Sequence, residues 1–100
     1  MEKHEMIVLS TAHVSKETDD ILQQVTNGTT NIEGLVVYNK GKYGWFIPII
    51  KDELKNLENN ECPADLYLCM RYALENGCDW IMFDNGVDTN ETPELPVYDW

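Results

Sequence analysis

The sequence predicts a small α+β domain: an antiparallel sheet with two helices packed on one face. Three observations carry this expectation. Short apolar runs rich in β-branched and aromatic residues recur along the chain, as buried strands do. Two segments between them show helical spacing with recognisable caps. One run of turn residues, Asn39-Lys40-Gly41-Lys42, separates two strand-like stretches as a hairpin would. One hundred residues fit one domain, with no internal repeat and no dividing linker.

The elements follow in order. Met6-Ile7-Val8-Leu9-Ser10 reads as a buried strand. Ser15 is placed to cap a helix, and Glu17, Asp19 and Asp20 suit the positive end of its dipole. Val14, Thr18, Ile21, Leu22 and Val25 fall on one face of that helix. Asn27-Gly28 closes it, since either residue accepts the left-handed conformation of a helix exit. Residues 34–38 and 43–50 are the two strands of the hairpin. Pro48 lacks an N–H, so the second of them should end, bulge or lie at an edge there. Residues 51–60 allow a helical turn or two before a polar loop. Pro63 suits the first turn of a second helix, with Leu66, Met70, Ala73 and Leu74 as its core stripe. Arg71 and Glu75 can pair along it, and Gly77 ends it. Cys78 to Phe83 is strand-like, residues 84–93 form an acidic turn-rich loop, and Val97-Tyr98-Asp99-Trp100 has the makings of a short extra strand. The resulting order, β-α-β-β-α-β, is that of the split-βαβ or ferredoxin-like arrangement.

Charge limits function more sharply than any motif. The formal net charge is −11, and residues 56–100 hold ten acids against one base, Arg71. Residues 1–55 hold eight acids and six lysines. Such a field repels nucleic acid directly and favours basic partners. No apolar run reaches the roughly 18 residues of a membrane span. Met1-Glu2-Lys3-His4-Glu5 has no apolar signal region, so a cytoplasmic chain is expected. Three cysteines, Cys62, Cys69 and Cys78, are odd in number and lack a C-x-x-C pair, which speaks against a disulfide framework or zinc ribbon.

Four segments together resemble a family of small uncharacterised bacterial domains found among plasmid and conjugative-element genes. They are Leu9-Ser10-Thr11-Ala12-His13, Tyr43-Gly44-Trp45-Phe46, Gly77-Cys78-Asp79-Trp80-Ile81-Met82-Phe83-Asp84 and Leu95-Pro96-Val97-Tyr98-Asp99-Trp100. The family has no established activity, so the resemblance carries over no catalytic residues. It implies a bacterial accessory protein, in a setting where small acidic proteins include inhibitors that imitate DNA.

Candidate chemistry is set against plainer readings. Ser10 and Thr11 beside His13 could form an activated nucleophile, but no Gly-x-Ser-x-Gly elbow is present and capping is the ordinary role of such residues. Asp84-Asn85-Gly86-Val87-Asp88 does not match a calcium loop, so a solvated acidic loop is expected. Cys69 and Cys78 with His13 have no zinc spacing. Tyr43, Trp45, Trp80 and Tyr98 could form a stacking platform or a ligand pocket, while the alternation Tyr43, Trp45, Ile47 more simply lines one strand face. Trp100 either folds back or anchors a partner.

The function expected is a non-enzymatic acidic module that docks on a basic protein surface, such as the groove of a nucleic-acid-handling enzyme. Its contacts would be Asp79, Asp84, Asp88, Glu91, Glu94 and Trp100, with carboxylates standing in for phosphates. No cofactor and no metal are expected. The alternative is a small hydrolase or metal-binding domain using His13 and acids near Asp84. A third possibility is a dimer built by pairing the 43–50 strand across a two-fold axis.

Overall fold

The structure, a computed structural model, describes residues 1–42, 44–59 and 62–100. Its strands are β1 (Met6–Ser10), β2 (Tyr38–Asn39), β3 (Gly44–Pro48) and β4 (Trp80–Asp84), and its helices are α1 (Lys16–Thr26), α2 (Leu54–Asn59) and α3 (Ala64–Glu75). Short 3-10 turns occupy Thr11–His13, Lys51–Glu53 and Thr89–Glu91. The α+β class is as expected, and no helix among the described residues is long and apolar enough to cross a membrane.

Local chemistry explains the helices. Ser15 caps α1, its hydroxyl accepting from the Thr18 N–H, with Glu17 and Asp19 in the first turn. Asn27 is the C-cap, and Gly28 follows at φ 82°. Pro63 caps α3, which leaves through Asn76 into Gly77 at φ 76°. One contact at the helix starts has no sequence motif behind it. The Asp65 carboxylate accepts the Ser15 N–H at 2.7 Å and the Thr18 hydroxyl at 2.7 and 2.8 Å. It thereby ties the start of α1 to the start of α3. Arg71 and Glu75 do pair, at 3.7 Å, but on an exposed face where such a pair is worth about 0.3–0.5 kcal/mol at most.

The sheet departs from the expected topology. Its order is β1-β4-β3-β2, with β1 and β4 parallel and the other two pairings antiparallel. In the split-βαβ order the first and third strands are neighbours. Here β4 lies between them, so the sheet is mixed and not ferredoxin-like. A third helix, α2, also intervenes before α3. The first hairpin strand shrinks to two residues, because Gly34 turns the chain at φ 86° and the Leu35 N–H is spent on the Ile32 carbonyl. Pro48 sits at the last rung of β3, where a missing N–H costs little. No strand forms at 97–100, although the Tyr98 N–H donates to the Ala12 carbonyl at 2.8 Å. β3 is paired with β4 along its length and with β2 at two rungs, so it lies inside the sheet and not at its edge.

Register places Ile7, Ile81 and Ile47 in one row of the covered face and Leu9, Phe83 and Trp45 in the next. Leu9, Ile47, Ile81 and Phe83 are fully buried there against Leu22 of α1 and Leu66, Met70 and Ala73 of α3. Burial of each large aliphatic or aromatic side chain contributes about 2 kcal/mol. The helices thus cover one face of the sheet, as the sequence suggested.

Candidate binding cleft

The parallel pair decides where a cleft forms. β1 and β4 end side by side, with Ser10 opposite Asp84, and β3 starts at the same end with Gly44 opposite Asp84. The turns leaving both strands and the β2–β3 hairpin therefore gather at one edge, the carboxyl end at which α/β sheets hold their ligands. A cleft of about 650 Å3 opens there, a volume within the range of small-ligand sites. Thr11 and Ala12 form its floor, and Asp19, Gln23 and Thr26 line one wall from successive turns of α1. Asn39, Lys42 and Trp45 come from the hairpin, Asn85 from the loop after β4, and Tyr98, Asp99 and Trp100 from the C-terminal tail.

The two indole rings are held, each by its N–H. The Trp45 Nε1–H donates to Asp19 Oδ1 at 2.9 Å, and the Trp100 Nε1–H donates to the Val14 carbonyl at 3.0 Å. Trp100 nevertheless remains 52% exposed, so it offers surface to a partner while being folded back. The tail itself is fastened by His13. That ring is 1% exposed, with Nδ1 at 2.7 Å from the Pro96 carbonyl and Nε2 at 2.6 Å from Thr92 Oγ1. A carbonyl only accepts, so Nδ1 carries a proton and donates it.

His13 is therefore a buried bracket. Neither it nor Asp84 lines the cleft. The Ser10 hydroxyl accepts the Ala12 N–H, capping the turn. Cys69 is buried, its thiol directed at the His13 carbonyl at 3.8 Å, while Cys78 points to Asn76. Burial, reinforced by Asp65, pushes the Cys69 thiol up to about 12 and the Cys62 thiol up to about 11. Among the described residues no group of three or more His, Cys, Asp or Glu side chains could hold a metal ion.

The predicted contact acids do not form one patch. Asp79 and Asp84 stand at opposite ends of β4, roughly 16 Å apart at about 3.3 Å per residue. Asp84 lies beside Asn85 of the cleft and is itself engaged, accepting from Gly86 N–H and from Lys40 Nζ at 3.0 Å. Those two partners, the backbone N–H first, hold its carboxyl below the ordinary range. Asp88 caps the turn at Thr89–Glu91, Glu91 is exposed within that turn, and Glu94 accepts from the Tyr72 hydroxyl. Of the aromatic platform, Trp45 and Tyr98 meet in the cleft, Trp80 is on the other face, and Tyr43 lies outside the described residues.

Asp79 instead clasps the N-terminal segment. It accepts from His4 Nδ1 at 2.7 Å and from the Glu5 N–H at 2.8 Å. The hydrogen bond to Asp79 raises His4 above 6.5, and the same bond lowers Asp79 below 3.8. The contribution of His4 is full below about 6.5 and fades as pH rises through its raised folded value. That of Asp79 is full above about 3.8 and fades as pH falls through its lowered folded value. The clasp is thus strongest between about 3.8 and 6.5. An NMR titration should find the His4 midpoint above 6.5, returning toward it in Asp79→Asn. An identical midpoint in both proteins would contradict the pairing.

Comparison with protein families supplies a match. The model of the family of unknown function DUF5983, C-terminal domain, matches residues 6–100. The chain belongs to this family. The match starts on the first residue of β1 and takes in every strand and helix, the cleft and the C-terminal tail. Searches of curated proteins and of solved structures return no match. A family of unknown function carries no catalytic residues over to this DUF5983 domain, so the cleft has to be read from its own chemistry.

Proposed function

We propose that this domain is a non-enzymatic, acidic binding module that grips a basic partner protein through the aromatic-walled cleft. The observation that carries the reading is the make-up of that cleft. Trp45, Tyr98 and Trp100 offer apolar and π surface, and Asp19 and Asp99 offer carboxylates, on a chain of net charge −11. An Arg or Lys side chain suits such a site, laying its stem and cation against a ring with the charge directed to a carboxylate. Asp84 lies next to the cleft and can extend the footprint, whereas Asp79 is too far away to share it.

Nucleic acid is a poor candidate for the ligand itself, because nothing here supplies a basic patch. A nucleic-acid-handling enzyme with a positive groove is the natural class of partner. A bacterial mobile-element accessory that blocks such a groove is the setting in which this chemistry has a use. The hydrolase alternative lacks a reactive centre to build on, since His13 is closed off by Thr92 and Pro96.

The test is a pull-down from bacterial lysate at low and at high salt, followed by titration of each captured partner against tryptophan emission in a Trp80→Phe background. Trp45 and Trp100 then report from the cleft. Binding should weaken steeply with salt and weaken at least tenfold in Trp100→Ala with Asp19→Asn. Affinity unchanged by salt and by both substitutions would overturn the proposal.

A further inference from the structure

A second surface lies on the opposite side of the sheet. Register puts Met6, Trp80 and Pro48 in one row there, and Val8, Met82, Phe46 and Tyr38 in the next. Every one of these side chains is apolar or aromatic. Met6, Val8 and Tyr38 are 44, 39 and 53% exposed, and Trp80, Phe46 and Met82 are half-buried. Tyr38 leans over Trp80 at a 31° tilt with ring centroids 6.0 Å apart, and His4 meets it edge-on at 6.1 Å. No helix among the described residues covers these rows.

Two adjoining rows of apolar side chains left open make a contiguous surface of the kind that marks an interaction site. From the geometry we infer that an amphipathic helix of a partner protein, apolar on one side and basic along its flank, docks on this face and completes a three-layer α/β/α stack. Size supports a helix: four strands about 4.8 Å apart span roughly 14 Å, and a helix with its side chains is about 10–12 Å wide.

Charge selects the flank. The two exposed rows hold no ionisable group except the Tyr38 phenol. The next row carries Asp84 between Ser10 and Gly44, already paired with Lys40. At the other end the His4 ring, edge-on to Trp80, is paired with Asp79 and Glu2, so carboxylates flank that end of the rows. Basic residues at one end of the incoming helix meet those acids. A second copy of this chain would bring another −11 against the first and is the weaker occupant. This inference stands apart from the cleft, which lies at the edge of the sheet and on different residues.

The test uses the full chain, with a synthetic Leu/Lys amphipathic helix as probe and amide and indole NMR shifts as readout. Shifts should concentrate on Met6, Val8, Phe46, Met82 and the Trp80 indole. Val8→Lys and, separately, Tyr38→Lys should each weaken the probe at least tenfold while circular dichroism stays native. Leu68→Lys, at an exposed apolar position on α3, should leave binding unchanged. Shifts confined to Trp45, Tyr98 and Trp100 would overturn the inference by assigning the probe to the cleft. A dimer in sedimentation that Val8→Lys disperses would overturn it in favour of a second copy, and no shift at all would leave the face without this function.

Discussion

Gly44→Ala should cost about 3 kcal/mol or more, enough to leave the domain largely unfolded at ordinary temperature. A Cβ on Gly44 would sit 1.6 Å from the Phe83 carbonyl oxygen and 2.6 Å from its carbon. Both atoms are backbone, in the strand held between β1 and β3, so neither can step aside as a flexible side chain would. Space is the objection, since φ of 159° is close to extended backbone. Gly41 is the control. Its φ of 59° is left-handed, but a Cβ there meets nothing within 4 Å, so Gly41→Ala should lose only about 1–2 kcal/mol. Urea unfolding of both variants checks the pair. Equal losses would mean that β3 and β4 do not approach at Gly44 as described.

The second large effect is at His13. His13→Ala removes two hydrogen bonds, each worth about 1 kcal/mol, and leaves the Thr92 hydroxyl, the Pro96 carbonyl and a ring-sized void behind. A loss of roughly 3 kcal/mol is expected. Its character matters more than its size. The tail from Thr92 onward should come away from the 3-10 turn, taking Tyr98, Asp99 and Trp100 out of the cleft wall. Limited proteolysis should then cut between Thr92 and Trp100, and the Trp100 emission should shift to the red. A catalytic histidine would show the reverse pattern, with stability intact and only turnover lost. An unchanged melting temperature and a protease-resistant tail would remove His13 from its bracketing role.

These two residues show what could be read from the chain and what could not. His13 is easily noticed in the sequence, yet its partners are 79 and 83 residues away, and no local spacing announces them. Gly44 was visible only as part of a strand, because the carbonyl that forbids a side chain belongs to β4. Ser15, Asn27-Gly28 and Gly77 behaved as expected, since capping is settled within a few residues by backbone groups the helix leaves open. The 34–38 run misled for the opposite reason. Its apolar residues suit a strand, but Gly34 turns the chain and leaves only Tyr38 and Asn39 to pair. Among the aromatics, Trp45 and Tyr98 line one cleft, whereas Trp80 could not be separated from them without the register. Asp65 was missed because its partners, Ser15 and Thr18, belong to another helix.

What the sequence by itself determined is therefore short-range: the α+β class, the helix ends, the hairpin at 39–42, and a net charge of −11. The tertiary structure alone decided that β4 enters beside β1 in parallel, and everything functional follows from that insertion. It brings two strand exits and the hairpin to one edge, where the tail closes the cleft, and it leaves one sheet face bare. Strand order is a competition among distant pairings that bury similar apolar area, so only the assembled core, not any local pattern, selects between them.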